Sequence, residues 1–125
     1  MKPILAGFAA VLLTVSGAMA AKTMDTKAGK IWTDDKGMTL YERSQDKDGK
    51  SGCYDACTKE WPPYAAAADA KPADEWTIID RTDGTKQWVY DGKPTYMFDE
   101  DKKTGDMKGD GVKDKFGDWQ VAKEQ

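Results

Sequence analysis

Residues 88–96 read Trp88-Val89-Tyr90-Asp91-Gly92-Lys93-Pro94-Thr95-Tyr96, with aromatic and β-branched side chains on both sides of an Asp-Gly pair. Such side chains suit a pleated, half-buried surface, and glycine accepts the positive φ that a tight hairpin requires, so the stretch predicts a β-hairpin. Outward from it, Asp83-Gly84 supplies a second turn of the same kind, and a meander through residues 76–98 is expected. Two registers are open. A three-residue loop sets Trp88 opposite Tyr96 across the ladder, whereas a two-residue turn places them on different faces.

The same pattern stands earlier in the chain. Trp32-Thr33-Asp34-Asp35-Lys36-Gly37-Met38-Thr39-Leu40-Tyr41 matches residues 88–96 with one residue lost in the turn, and both copies then run in step, from Tyr41 to Asp46-Lys47 and from Tyr96 to Asp101-Lys102. Each continues through a Gly- and Asp-rich stretch to a tryptophan, Trp61 or Trp119. With two copies the expectation is a pseudo-symmetric domain rather than an open array. The fold class follows: mostly β, a small antiparallel sheet domain built from two related β units at about residues 30–63 and 76–122. The expected strands are Lys30–Thr33, Met38–Arg43, Trp76–Asp80, Lys86–Tyr90, Pro94–Phe98 and Trp119–Ala122. Between the units, Cys53–Glu60 has no strand alternation and is stopped by Trp61-Pro62-Pro63. A short helical turn is expected at the Cys-x-x-x-Cys segment, followed by an alanine-rich connector over residues 65–73.

Residues 1–20, MKPILAGFAAVLLTVSGAMA, have one early charge at Lys2, an apolar run from Ile4 to Val15 and the small-residue ending Ala18-Met19-Ala20. This is the pattern of a signal peptide cleaved after Ala20, and the apolar run is too short for a stable membrane span. Residues 21–125 then form a single domain, periplasmic or secreted, with no membrane insertion after cleavage and no cysteine placed for a lipid anchor. The full chain carries a formal charge of −3. Lysines alternate with aspartates as on a solvated face, so nucleic acid is not an expected partner; a monomer meeting an unknown envelope component or small ligand is.

Tyr96-Met97-Phe98-Asp99-Glu100-Asp101, Gly37-Met38-Thr39-Leu40-Tyr41 and Cys53-x-x-x-Cys57-x-x-x-Trp61-Pro62-Pro63, taken together, resemble the bacterial family of secreted or lipid-anchored repeat proteins that carry a Tyr-x-(Phe/Trp/Tyr)-x-x-Asp motif. The likeness spans roughly residues 30–122. The first copy departs from the motif at Arg43, where an aromatic would stand. The resemblance implies an envelope location and a repeat architecture, with Tyr41, Trp61, Pro62, Pro63, Tyr96, Phe98 and Asp101 as motif residues, and it implies no established activity.

The chain has no histidine. That removes Ser/His and Cys/His nucleophiles, His-ligated haem and Cys₂His₂ zinc, and no local pattern singles out a catalytic carboxylate pair, so no enzyme activity is expected. Cys53 and Cys57 are the only cysteines. In an oxidising compartment they are expected to bond to each other; on a regular helix their Cα atoms would stand about 6 Å apart, near the upper end of disulfide geometry, so a distorted turn is expected. Two other readings are carried with it: a Cu(I) site in which Met24, Met38, Met97 or Met107 adds a thioether, and a redox thiol pair.

Asp46-Lys47-Asp48-Gly49 has the kernel of a calcium loop, with Ser44 at the first ligand position and Asp55 at the last. A solvated turn is the plainer reading of those residues, so no cofactor is expected, with Cu(I) or Ca2+ as the alternatives. The aromatics Trp32, Trp61, Trp76, Trp88, Trp119, Tyr41, Tyr90, Tyr96 and Phe98 are read mainly as core, and as a platform for sugar or peptide ligands where any reach the surface. The sequence thus predicts a non-enzymatic periplasmic binding or envelope-associated protein, with periplasmic copper handling as the alternative and thiol exchange behind it. Mass spectrometry of the secreted protein checks the first step: a mass starting at Ala21 and two protons lighter than the dithiol is expected, and retained thiols with stoichiometric copper would favour the alternative.

Overall fold

The Asp91-Gly92 turn has two residues: Tyr90 pairs with Lys93 and Val89 with Pro94. Both turn residues have positive φ, 50° and 81°, which is what a type I′ hairpin requires. Trp88 and Tyr96 consequently point to different faces and join separate clusters of the interior. This comes from the computed structural model of the chain, which describes residues 21–125; the signal-peptide expectation for residues 1–20 lies outside the described residues.

The strands are β1 (Lys22–Thr26), β2 (Gly29–Thr33), β3 (Tyr41–Arg43), β4 (Ala65–Ala66), β5 (Trp76–Asp80), β6 (Lys86–Tyr90), β7 (Lys93–Tyr96), β8 (Lys113–Asp114) and β9 (Gly117–Val121), with one helix, α1 (Ala56–Glu60). They form a sheet in the order β4-β6-β7-β3-β9-β8, with β5 also on β6, and a separate β1-β2 hairpin; every pairing is antiparallel. The fold is therefore mostly β and built from two related units. Among the described residues, no helix is long and apolar enough to cross a membrane.

Two expected strands are shorter than their sequence pattern. The stretch from Met38 enters the ladder late because the Asp34 carboxylate accepts the amides of Lys36 and Met38 and holds a turn there. Past Tyr96 the chain leaves the ladder, as the Met97 amide bonds the Pro62 carbonyl and the Asp99 amide bonds that of Glu60. β1 was not expected, since Lys22-Thr23-Met24-Asp25-Thr26 has no aromatic. The duplication itself would have found it: β5-β6 in the second unit is matched by β1-β2 in the first.

The two units exchange their closing segments. Ala122, from the end of the second unit, accepts the amide of Trp32 at 2.8 Å and donates to Leu40 at 2.9 Å, both in the first unit. Tyr64, from the end of the first, accepts the amide of Trp88 at 2.9 Å and donates to Thr95 at 3.0 Å, both in the second. Further bridges repeat the relation: Val121 pairs with Tyr41 as Pro63 pairs with Tyr96, and Lys123 with Ile31 as Ala65 with Gln87. Tyr41 and Tyr96 themselves stand opposite each other at the β3-β7 ladder, where the two-fold relation passes through the sheet.

The core around that point is aromatic. Trp61 and Trp119, the corresponding tryptophans of the two units, stack with ring centres 3.9 Å apart and planes 2° from parallel. Each also meets a tyrosine edge-on, Tyr41 with Trp61 at 5.5 Å and Tyr96 with Trp119 at 5.1 Å. Gly109 backs this cluster: a Cβ there would stand 2.8 Å from Trp61 and 2.9 Å from Tyr41. Because packed interiors resist added volume, Gly109→Ala is expected to lower stability by about 1–3 kcal/mol, read from the urea midpoint at unchanged m-value.

Candidate functional site

The motif tyrosines are fully buried, and each hydroxyl is taken by the motif aspartate of the other unit. Tyr41 donates to Asp101 Oδ2 at 2.6 Å and Tyr96 to Asp46 Oδ2 at 2.5 Å. Burial pushes both phenols far above their ordinary pKa, and the neighbouring carboxylates add to it, so both remain hydrogen-bond donors at any physiological pH. Burial likewise holds the Asp101 carboxyl above its ordinary range, only partly offset by the Tyr41 hydroxyl and the Lys108 amide. Asp114 differs. Burial raises it, but the indoles of Trp61 and Trp119 and the amides of Phe116 and Gly117 all donate to it and hold it below the usual range.

The two copies diverge at the aromatic position of the motif. Phe98 is half-buried and stacks on Trp61 with ring centres 4.1 Å apart. Its counterpart Arg43 instead bonds Asp46 Oδ1 at 2.8 Å and the Phe116 carbonyl at 2.6 Å. Asp46 also accepts the Gly52 amide, so three of the protein's own donors hold its carboxylate. Asp48 sits exposed at a turn with φ 55°, and among the described residues no group of three or more His, Cys, Asp or Glu is placed to hold a metal ion.

Cys53 and Cys57 form a disulfide with Cα atoms 5.3 Å apart. It encloses Tyr54, Asp55 and Ala56 and is buried at both ends; in this state neither sulfur is a thiolate. Pro62 and Pro63 stop α1 and align Pro63 against Tyr96.

Against the disulfide loop lies Arg81, whose side chain is wholly buried. Its guanidinium donates to Ser51 Oγ at 3.1 Å, Gln87 Oε1 at 2.7 Å and the Cys53 carbonyl at 2.6 Å. It also sits 4.2 Å from the centre of the Tyr54 ring. Ser51 in turn meets the Tyr96 hydroxyl at 2.5 Å. Tyr96, Asp46, Arg43, Ser51, Arg81 and Gln87 are thus one polar network. Arg81 and Tyr54 went unnoticed in the sequence, although one signal was present. The chain's only arginines are Arg43 and Arg81 among many lysines, and arginine's planar fork suits buried multidentate bonding where lysine's point charge does not.

Outside this network a cleft of about 520 Å³ opens between the segment from Asp48 to Tyr54 and the end of β5 with Thr82. A neighbouring hollow of about 320 Å³, bounded by Arg43 and Gln45, shares Asp48, Lys50 and Ser51 with it. The sizes fall in the range of small-ligand sites. Of the residues expected to carry function, Asp48 reaches the cleft; the motif tyrosines, Trp61 and the cysteines lie in the core behind it.

A family model described as a secreted repeat of unknown function matches residues 22–65 and 77–123, one match on each unit. Searches of curated proteins and of solved structures gave no significant match.

Two outcomes test the electrostatics. Arg81→Ala leaves Gln87, Ser51 and the Cys53 carbonyl without their donor, and a loss of about 3 kcal/mol in chemical denaturation is expected, with Arg81→Lys recovering less than half. Glu42, half-buried in β3 between Thr95 and Gln120, is raised by burial to about 7, with Lys93 and Gln120 offsetting only part. Its folded pKa exceeds the unfolded one, so its contribution favours the fold at acid pH and is lost as pH climbs from about 4.5 to about 7. Glu42→Gln should flatten the stability profile across that window and gain most relative to wild type above pH 7.

Proposed function

The chain belongs to the family of secreted repeats of unknown function, and from that premise we propose that it is a non-enzymatic binding protein of the cell envelope whose ligand enters the cleft beside the disulfide loop. The cleft is the observation that carries this reading, since it is a concave, partly apolar space bordered by side chains that the polar network beneath it holds in place. Preorganised walls lower the ordering cost of binding. A lack of catalysis is supported by composition: no imidazole is present to move protons near neutral pH, and the buried Tyr–Asp pairs bond each other. Copper handling or thiol exchange would first require reduction of a disulfide whose sulfurs are buried.

The test is an amide-resolved NMR titration of residues 21–125 with a panel of short peptides, oligosaccharides and small carboxylates. Shifts confined to residues 48–54 and 79–82 are expected for at least one class. No response at millimolar concentrations, or chemical turnover of any panel member, would overturn the reading.

A further inference from the structure

We propose that the cleft takes a neutral carbohydrate, with one pyranose ring laid against Tyr54; this rests on the binding role argued above and assigns its ligand class. Tyr54 is half-buried, with part of its surface exposed, and lies inside the five-residue disulfide loop. The Arg81 guanidinium lies 4.2 Å from its ring centre, and because that side chain is wholly buried, the ring face it covers is the internal one. The exposed part of the ring is therefore turned away from Arg81, toward the cleft that Tyr54 lines and Arg81 does not. The Tyr54 hydroxyl also accepts the Thr82 amide at 3.4 Å. Disulfide, cation and hydroxyl together fix the ring before any ligand arrives, so stacking on it costs little further entropy.

The rest of the cleft suits the same chemistry. A pyranose offers an apolar C–H face and a rim of hydroxyls that donate and accept. Here Ile79 extends the apolar surface of Tyr54, while Asp48 and Asp80 supply acceptors, Lys50 a donor and Thr82 a hydroxyl. Charge does not single out an ionic ligand: Asp80 is paired with Lys86, and Asp48 and Lys50, of opposite charge, both line the cleft. A peptide added to a strand edge would call for successive pockets for alternate side chains, whereas this cleft has one aromatic wall, Tyr54, and the hollow beside it is lined by polar residues and glycine.

Chitotriose, a neutral trimer of N-acetylglucosamine, and trialanine amide of similar size are the probes, each titrated into labelled residues 21–125 and followed by amide shifts. Chitotriose is expected to shift Lys50, Tyr54, Ile79 and Thr82, with Tyr54→Phe binding within about threefold of wild type and Tyr54→Leu about tenfold weaker. Thermal melting of each variant separates lost stacking from lost fold. Should Tyr54→Leu also melt early, Ile79→Lys, at a half-buried position on the cleft wall, provides the second variant and should abolish the shifts. Trialanine amide perturbing these residues while chitotriose does not would overturn the carbohydrate assignment and leave the binding role standing. Silence from both probes would overturn the assignment as well, and the wider panel would then decide the binding role separately.

Discussion

Two buried phenol hydroxyls, each handed across to a carboxylate of the opposite unit, set the geometry that the rest of the molecule follows. Tyr41 to Asp101 and Tyr96 to Asp46 are bonds that neither unit can make alone. They lie beside the stacked Trp61 and Trp119 and beneath the exchanged segments that end in Tyr64 and Ala122. A buried hydroxyl or carboxylate without its partner is costly, so each unit is an unsatisfied structure until the other is in place. The repeated motif then has a physical meaning: its tyrosine and aspartate are the two halves of a clasp, and the four residues between them set the reach from strand to loop.

Chemistry collects where the two-fold relation fails. In the second unit the tyrosine-facing loop closes with glycine, as Gly109 lies against Tyr41 and gives its amide to the hydroxyl. In the first, the matching space holds Ser51, the disulfide and the guanidinium of Arg81. Arg43 in place of an aromatic belongs to the same divergence, since it secures Asp46 where Phe98 covers Trp61. The divergent side, unlike its counterpart around Gly109, borders the outward-facing cleft that both units line.

The architecture was legible because its signals are local. Asp91-Gly92 and the runs around it specify a hairpin, the recurrence of Trp-to-Tyr spacing specifies two units, and two cysteines four apart specify a bonded turn. The register of that hairpin was not legible, because it depends on Asp91 taking a left-handed conformation that aspartate permits without requiring. The clasp was hidden for another reason: it joins residues 60 and 50 positions apart, and the motif reads as though its tyrosine and aspartate belonged to one site. The cleft is assembled from residues of both units, so no window of sequence contains it, and Tyr54 looks like an ordinary loop residue until Arg81 is found behind it.

The exchange of closing segments also governs when the fold can exist. A chain that emerges N-terminus first, from a ribosome or a translocation pore, presents Trp32 and Leu40 long before Ala122 arrives to bridge them. Its first half must therefore wait, without the carboxylate for Tyr41 until Asp101 is delivered and without its bridging segment until Ala122 is. Contacts of such long sequence separation slow folding, and here the delay has a direction: the first half completes its ladder only after the second has been delivered.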